Sequence, residues 1–395
     1  MGRVTDLSPI AGLQTATADL NPPLAALDLA TLRANADDLV RRARGVPIRV
    51  ASKSVRCRAV LAEVLGDELT AAGGFAGIMS YSLREAVWLA RQGARDILLG
   101  YPSVDRAALA ELGADAALCE AITLMVDDSA QLELIRAAVG GDRVAPRVCL
   151  DVDASLRIGP VHLGVRRSPI RTPEQAARLA RDALERGFRV VGVMTYEAQI
   201  AGLPDTNPAV RVVKRASAAE IGKRRRRVLD AVRSVVGKLE IVNSGGTGSV
   251  EVSVADPEVT EVTAGSGLYL PTLFDGYRTV TPRPALFFAL PVLRRPASGI
   301  ATAFAGGYIA SGPAGKSRVP TPVWPTGLRL VGTEGAGEVQ TPLTGAAELA
   351  VGDRVWFRHA KAGELCERFD RVWIVDADGV RSSVPTYRGE GHNFG

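Results

Sequence analysis

The chain has 395 residues, 47% of them hydrophobic, and a formal charge of only +5, which is enough material for a sizeable core and too long for one ordinary domain. The sequence contains no apolar run of membrane-spanning length and no signal-peptide core, and its four scattered cysteines predict reduced thiols in the cytoplasm. The basic run "KRRRR" (223–227) lies inside a predicted helix, so we interpret it as a solvated helical face and expect no nucleic-acid or membrane partner.

The predicted elements begin with a strand in "PPLAALDL" (22–29) and the helix "ATLRANADDLVRRAR" that follows it. From residue 48 onward, short apolar β-runs alternate with amphipathic helices. There are eight such runs: 48–52, 75–81, 96–101, 121–127, 146–152, 188–196, 239–244 and 258–265. Because they are apolar on both faces, they predict an α/β fold with a closed, parallel (β/α)8 TIM-like barrel, although an open doubly wound sheet has the same alternation.

The pattern changes after Gly267. Helices nearly vanish, proline and glycine become frequent, and β-runs such as "ALFFALPVL" and "DRVWFRH" follow at the spacing of hairpins. We therefore predict three parts: an N-terminal segment (1–30) whose strand joins the β domain, the barrel (31–267), and a mostly antiparallel C-terminal β domain (268–395).

Lys53 stands between two serines directly after the first predicted barrel strand. Strand interiors seldom hold an ammonium group, because its desolvation is costly. One interpretation is a solvated loop lysine. The other is an amine nucleophile at the carboxyl end of a barrel strand, where barrel enzymes gather their catalytic groups.

Two loops rich in glycine and serine follow the last two predicted strands, "NSGGTGS" (243–249) and "AGSG" (264–267). Such loops present backbone N–H groups and hydroxyls that suit a phosphate, although tight turns also need glycine. When the barrel closes, a lysine on the first strand becomes a neighbour of loops on the last two. This combination fits pyridoxal 5′-phosphate (PLP), which needs an imine-forming lysine and a phosphate anchor.

In these motifs the chain resembles the fold-type III PLP enzymes, the alanine racemase-like group, and within it the D-threonine aldolase/D-serine dehydratase branch. The resemblance rests on "PPLAALDLATLRANADDLV" with "VASKS", on "LDVD" followed by "HLGV", on "GVMTYEAQ", and on "NSGGTGS" with "TEVTAGSGLY". It covers roughly residues 22 to 280. It implies a PLP-binding barrel that acts on a small-molecule amino acid, and a homodimer.

The resemblance also implies roles for individual residues. Lys53 would form the imine and Tyr196 would lie against the cofactor ring. His162, in the loop after "LDVD", is either a catalytic group or a packed histidine. The other residues expected to contact PLP are Arg157, Gln199, Asn243, Ser244, Gly246, Thr247, Thr263, Gly265 and Ser266, with Tyr269 a weaker candidate.

Two departures from the family pattern bear on the chemistry. Thr263 stands where racemases carry an arginine that donates to the pyridine nitrogen, and a hydroxyl cannot supply that charge. The aldolase/dehydratase branch resembles a metalloenzyme group with a His-x-Cys or His-x-Asp pair, whereas Lys361 stands two residues after His359 here. A divalent metal on His359 and Cys366, with Glu364 as a further candidate ligand, is therefore the less favoured expectation. The alternative is that Lys361 supplies the positive charge.

These features predict a PLP-dependent lyase (aldolase) that cleaves or forms a D-β-hydroxy-α-amino acid, with a glycine- or alanine-type amino acid and an aldehyde as the other partners. His359, Lys361 and His162, in that order, are the candidates for the group that acts on the β-hydroxyl. One alternative is a D-serine-type dehydratase, in which Lys53 removes the Cα proton. Others are an amino-acid racemase, which needs a second base that is not evident, and a sugar-phosphate barrel enzyme without PLP.

Overall fold

The computed structural model describes residues 5–140, 145–205, 207–313 and 315–395. The chain divides into two compact units. The unit that we call the barrel unit comprises residues 39–52, 61–265 and 394–395, and the one that we call the β unit comprises 1–38, 53–60 and 266–393. In the described ranges, none of the helices has the length and apolarity needed to cross a bilayer.

The strands follow one another along the whole chain. In order they are β1 (Leu24–Asp28), β2 (Ile48–Ala51), β3 (Ala71–Ala72), β4 (Phe75–Ser80), β5 (Ile97–Leu99), β6 (Ile122–Val126), β7 (Arg147–Val152), β8 (Leu156–Ile158), β9 (Val161–Leu163), β10 (Arg189–Thr195), β11 (Ile241–Ser244), β12 (Glu261–Ala264), β13 (Leu286–Ala297), β14 (Ile300–Phe304), β15 (Thr321–Trp324), β16 (Arg329–Leu330), β17 (Gln340–Thr344), β18 (Arg354–Arg358), β19 (Arg371–Val375) and β20 (Arg381–Pro385).

All α-helices of the described residues end before residue 270. They are α1 (Pro9–Ala16), α2 (Leu29–Ala43), α3 (Arg58–Leu65), α4 (Leu83–Arg91), α5 (Arg106–Ala114), α6 (Ala116–Ala121), α7 (Ser129–Val139), α8 (Pro173–Glu185), α9 (Ala198–Ala201), α10 (Pro208–Val236), α11 (Val250–Ser253) and α12 (Ser266–Tyr269). Short 3-10 turns occupy Ser52–Ser54, Thr272–Gly276, Lys316–Arg318, Glu364–Glu367 and Arg388–Glu390.

The barrel unit contains a closed ring of eight parallel strands in the order β2, β4, β5, β6, β7, β10, β11 and β12. The ring closes because β2 pairs in parallel with both β4 and β12. Each of the eight predicted β-runs contains one of these strands, so the predicted TIM-like barrel is confirmed. Apolar side chains that point inward, among them Leu98, Met125, Cys149 and Ile241, fill part of its interior.

Helix α10 carries the basic run as predicted, but the run is not wholly solvated. The helix begins at the N-cap Asn207, whose side chain accepts a hydrogen bond from the Ala209 N–H, and it continues for 29 residues. Its buried positions include Ile221, Arg225 and Val228. The interpretation of 223–227 as a solvated face is therefore wrong for Arg225, which shares the buried side of the helix with apolar residues at helical spacing.

The β unit is built on a nine-stranded, mostly antiparallel sheet, in agreement with the predicted β domain. Strand β1 lies inside this sheet, antiparallel to β13 and parallel to β19. Its apolar residues Leu24 and Ala26 pack with Phe287 and Trp356 in one hydrophobic cluster. The Trp356 indole N–H donates to the Gln14 side-chain oxygen at 2.7 Å, so helix α1 is tied to the same core.

Candidate active site

Lys53 follows β2 after a single intervening residue. Strand β2 ends at Ala51, and the 3-10 turn Ser52–Ser54 begins at once. The Ser52 hydroxyl donates to the Met79 carbonyl oxygen on β4 at 3.0 Å, which fixes the end of the strand. Lys53 itself belongs to the β unit, where the Arg56 Nε–H donates to its carbonyl oxygen at 3.1 Å.

A turn of the β unit packs directly on the main chain of Lys53. Gly363 has φ of +95°, and a β-carbon at this position would lie 1.9 Å from the Lys53 carbonyl oxygen. Only glycine allows both this conformation and this approach. The segment that contains His359 and Lys361 is therefore anchored beside Lys53.

The glycine-rich loop after β11 forms a narrow cradle in the barrel unit. Gly245 has φ of +94°, and a β-carbon there would lie 2.7 Å from the Ser253 Oγ. A β-carbon on Gly246 would come within 3.1 Å of Ala201 and 3.4 Å of the Tyr196 ring. A cradle that excludes side chains is what a close backbone approach to a phosphate requires.

Two of the donors predicted for the phosphate are engaged inside the protein. The Ser244 hydroxyl bonds to Glu197 and Arg225, and the Gly246 N–H donates to the Ser249 Oγ at 3.1 Å. Both groups therefore help to fix the conformation of the loop, and their role at a phosphate stays a prediction. Of the remaining residues predicted for the phosphate, Thr247 lies in the loop after β11, Gly265 follows β12 directly, and Ser266 is the first residue of helix α12.

Thr263 and Asn243 belong to a polar network within the barrel. The Asn243 amide donates to the Thr263 Oγ1 at 2.8 Å and to Glu261 at 2.7 Å. Glu261 also accepts from Arg49, whose guanidinium is held by Asp96 on the other side. These carboxylates raise the pKa of Arg49 and, together with their hydrogen bonds, offset the cost of burying it. Thr263 therefore contributes a neutral hydroxyl to this network, and its place at the pyridine nitrogen stays a prediction.

Tyr196 directly follows β10, and Gln199 lies in the short helix α9 just beyond it. The Arg167 guanidinium carbon lies 5.4 Å from the centroid of the Tyr196 ring and 5.5 Å from that of Tyr101, so the three side chains form a cation–π stack. The Gln199 amide donates to the Ala154 carbonyl at 2.7 Å. The Gln199 carbonyl oxygen is buried and has no hydrogen-bond partner in the described residues.

Arg157 and His162 face each other across a two-stranded ribbon formed by β8 and β9. The Arg157 guanidinium donates to Asp153 at 2.8 Å, and a His162 ring nitrogen lies 3.3 Å from the Val165 carbonyl oxygen. This ribbon belongs to the loop after β7, as the sequence predicts for both residues. Their proposed roles remain predictions.

Asp151, at the end of β7, has an unusual proton affinity. Burial, together with the charge of Asp127, raises its pKa to about 7, and Arg167 opposes this shift. A carboxyl group that is half-protonated at neutral pH is a recognised mark of functional sites, although structural clusters also produce it.

His359 is buried in the β unit, where a main-chain group of Leu286 acts weakly on its ring. It is 3% exposed, and neither ring nitrogen has a hydrogen-bond partner in the part of the chain that the structure describes. Burial and the charge of Arg358 lower its pKa to about 3, so the imidazole is neutral. It lines a small pocket together with Tyr308, Lys361, Glu364 and Arg368.

Lys361 is held at this pocket by Ser311. Its ammonium donates to the Ser311 carbonyl oxygen at 3.1 Å and contacts the Ser311 hydroxyl at 3.3 Å. Burial and the charge of Arg318 lower its pKa, and the charge of Lys53 contributes in the same direction. Glu364 is engaged by the Ser311 N–H at 2.9 Å.

The residues present do not fit a divalent metal. No group of three or more His, Cys, Asp or Glu side chains suited to an ion occurs in the residues that the structure describes. Burial raises the pKa of the Cys366 thiol, which disfavours the thiolate that a metal requires. The Tyr269 hydroxyl, a weaker phosphate candidate, is fully buried and donates to the Val55 carbonyl at 3.0 Å.

Sequence reasoning missed several residues of this region, namely Glu197, Arg225, Arg167 and Asp151. For Arg225 a signal existed, because it stands at helical spacing from Ile221 and Val228. Glu197 had one too, since it lies within the quoted motif "TYEAQ". The pairing of Arg167 with two tyrosines from other loops depends on tertiary contacts that no local pattern reports.

Four features together define a fold-type III barrel protein. They are a closed (β/α)8 barrel, a lysine just after its first strand, a glycine-rich loop after its seventh strand, and a β unit that includes the N-terminal strand. The profile of the family described as "Alanine racemase, N-terminal domain" matches residues 27–272, and the chain belongs to this family of PLP-dependent enzymes. Among curated protein sequences no match was found.

Solved structures share this fold over nearly the whole chain. D-threonine aldolase from Filomicrobium marinum superposes with a TM-score of 0.76 at 22% identity, covering 95% of this chain and 98% of that one. D-threo-3-hydroxyaspartate dehydratase from Delftia sp. HT23 gives 0.70 at 22% identity, over 93% and 97%. Alanine racemase of Clostridium difficile 630 gives 0.62 at 14% identity, over 93% and 99%.

Each unit holds residues of the kinds that PLP needs. In the barrel unit, the cradle at Gly245 and Gly246 suits a phosphate and the cation–π stack at Tyr196 offers a flat surface. In the β unit, Lys53 supplies an amine. The orphaned Gln199 carbonyl oxygen is a further acceptor without a protein partner among the described residues.

Proposed function

We propose that this protein is a PLP-dependent lyase that cleaves D-β-hydroxy-α-amino acids between Cα and Cβ. The observation that carries the proposal is the contact of Gly363 with the main chain of Lys53. This contact ties the amine of Lys53 and the pocket of His359 and Lys361 to one compact part of the β unit. An amine that holds the cofactor and a polar pocket beside it support a reaction at the β-carbon of the substrate.

Each part of the site would have its own task. Lys53 would hold the cofactor covalently until substrate arrives, and the loops at Gly246 and Gly265 would bind its phosphate. Tyr196, stacked on Arg167, would pack against the pyridine ring. When bound, PLP would take the amino group of the substrate and withdraw electrons from its α-carbon. Thr263 in place of a charged donor moderates that withdrawal.

Carbon–carbon cleavage requires that the β-hydroxyl lose its proton. The O–H electrons then form the aldehyde C=O bond, and the Cα–Cβ pair passes to the α-carbon, which later takes up a proton. Lys361 is better suited than His359 to accept the hydroxyl proton, because an imidazole with a pKa of about 3 is a weak base, whereas the lowered pKa of Lys361 increases its uncharged fraction. Once protonated, its ammonium would stabilise the negative charge on oxygen.

His359 would orient the hydroxyl rather than take its proton. A neutral ring nitrogen without a partner in the described chain can accept or donate one hydrogen bond to a substrate oxygen. This assignment reverses the order in which the sequence ranks the two residues. His162, on the β8–β9 ribbon, remains the third candidate.

The product assay tests the proposal. The purified protein, loaded with PLP, is mixed with D-threonine, and the expected products are glycine and acetaldehyde, formed much faster than from L-threonine. Release of ammonia and a keto acid without glycine would instead make the protein a dehydratase. Interconversion of alanine enantiomers at a comparable rate would make it a racemase, and absence of a PLP absorbance band would defeat all three.

The family resemblance also supports a homodimer of two 41.6-kDa chains. Light scattering of the PLP-loaded protein gives the mass directly, and a mass of one chain would contradict this part of the proposal.

A further inference from the structure

The loop from Ser244 to Ser249 is held from behind by a buried carboxylate. Glu197 is 1% exposed and accepts hydrogen bonds from three hydroxyls: Ser244 at 3.1 Å, Ser249 at 3.0 Å and Ser253 at 2.7 Å. Burying an ionised carboxylate is costly unless hydrogen bonds satisfy it. Here all three donors come from the loop or from the short helix directly after it.

Arg225 supports the same loop from helix α10. Its guanidinium donates to the Ser244 hydroxyl at 2.7 Å and to the Thr195 hydroxyl at 3.0 Å. It also pairs with Asp256 at 2.5 Å. Arg225 is only 4% exposed, so its guanidinium is buried and is not a solvated surface charge.

Arg42 holds the outer side of the loop. Its guanidinium donates to the Thr247 carbonyl oxygen at 2.6 Å and pairs with Glu251 at 2.6 Å. The neighbouring Gly246 carbonyl accepts the Ser249 N–H at 2.8 Å. Two carbonyl oxygens of the loop, which would repel an anion, are thus bonded to the protein.

We propose that Glu197, Arg225 and Arg42 are positioning residues that preset this loop to receive a phosphoryl group. Arg42 bonds the Thr247 carbonyl oxygen, and Glu197 and Arg225 fix hydroxyls of the loop. These contacts hold the loop in one conformation and spare it a reorganisation when an anion binds. The inference rests on the proposed function, since it takes the phosphate of PLP as the ligand. The inference goes beyond the proposed function because these three residues act on the loop and do not themselves contact the phosphate.

A comparison of PLP with pyridoxal, which lacks the phosphate, isolates the effect. Dissociation constants of both are measured by absorbance for the wild type and for Glu197→Gln, which keeps the size of the side chain but removes its charge. We expect PLP binding to weaken about tenfold, as for loss of one hydrogen bond to a charged group, while pyridoxal binding changes less than about twofold. Glu258→Gln is the matched control, because Glu258 forms a partly exposed ion pair with Arg233.

If a folded Glu197→Gln variant binds PLP and pyridoxal more weakly by the same factor, the inference is wrong. If that variant does not fold, Arg42→Met removes the independent contact on Thr247 and is subject to the same criterion. If the wild type binds no PLP, the proposed function fails instead. In that case the rise in unfolding temperature caused by inorganic phosphate is measured for the wild type and for the variant. A smaller rise in the variant supports the positioning role, and an equal rise refutes it.

Discussion

A β-carbon on Gly363 would lie 1.9 Å from the carbonyl oxygen of Lys53. The same carbonyl oxygen accepts a hydrogen bond from Arg56 at 3.1 Å, so the main chain of Lys53 is fixed by two neighbours in the β unit. This arrangement couples the main chain of Lys53 to the segment that carries His359 and Lys361. A small change in that segment is therefore expected to disturb the amine.

Gly363→Ala tests this coupling. The added methyl group must displace either the turn or Lys53, so we expect a loss of stability of about 2–4 kcal/mol and poor incorporation of PLP. Gly352→Ala is the matched control, because Gly352 has the same φ of +95° but a β-carbon added there would meet nothing within 4 Å. Chemical denaturation and PLP absorbance would be measured for both, and equal effects of the two substitutions would show that the contact with Lys53 is unimportant.

Lys53 is expected to be the residue that binds PLP covalently. Borohydride reduction of the loaded protein, followed by proteolysis and mass spectrometry, should find a pyridoxyl group on the peptide that contains Ser52, Lys53 and Ser54. Lys361 serves as the internal control, because it is also a lysine near the site and has a lowered pKa. A label on Lys361, or none on either lysine, would contradict the assignment.

The barrel could be predicted because each of its strands is a local apolar run between capped amphipathic helices. The helix α8, for example, begins with the capping box formed by Thr172 and Gln175, which is visible in the sequence. The position of Lys53 after the first barrel strand was predictable for the same reason, and its role in catalysis stays a prediction.

The network around the phosphate loop could not be predicted in this way. Glu197, Arg225 and Arg42 come from three separate elements, and only the closed barrel brings them to one loop. The low pKa of His359 likewise follows from tertiary burial, which the sequence around it does not reveal.

Asp151 should make the stability of the protein depend on pH. Its pKa is 3.8 when exposed and about 7 in the folded protein, so the folded state binds the proton more tightly. The free energy of unfolding therefore falls by at most about 4 kcal/mol as pH rises from about 4 to about 7. Above that pH this contribution is constant. Asp151→Asn removes the titrating group, and we expect it to abolish this fall and to stabilise the protein at pH 8.

Urea denaturation between pH 4 and pH 8 checks this prediction. Asp67→Asn is the control, because Asp67 is exposed. The charges of Asp127, Arg167 and Asp153 also act on Asp151. Because Asp67→Asn leaves all of them in place, the free energy of unfolding should fall with pH in this control by as much as in the wild type. A wild-type protein whose stability increases over the same interval would refute the assignment.

Activity should survive removal of divalent metals. Lys361 occupies the position of the second ligand of the metalloenzyme pattern, and after it has accepted the hydroxyl proton its ammonium would stabilise the negative charge on the substrate oxygen. We expect dialysis against EDTA to leave kcat unchanged and Lys361→Met to lower it by about 100-fold, the usual effect of removing a group that stabilises a developing oxyanion. Lys238→Met, on the barrel surface, is the control. Loss of activity in EDTA, restored by one equivalent of a divalent ion, would show that other ligands bind a metal.

His359 should affect the rate without setting its dependence on pH. Because burial and Arg358 lower its pKa to about 3, the imidazole is neutral at every pH between about 5 and 9 and contributes no inflection there. His359→Ala is expected to slow cleavage by about tenfold or more through loss of one hydrogen bond to the substrate, and His359→Gln to recover part of that loss. The PLP absorbance spectrum should be the same in all three proteins. If the wild-type pH–rate profile has an inflection near about pH 6.5, the ordinary pKa of histidine, that disappears in His359→Ala, the residue titrates during the reaction and is itself the proton acceptor, which would return Lys361 to a purely electrostatic role.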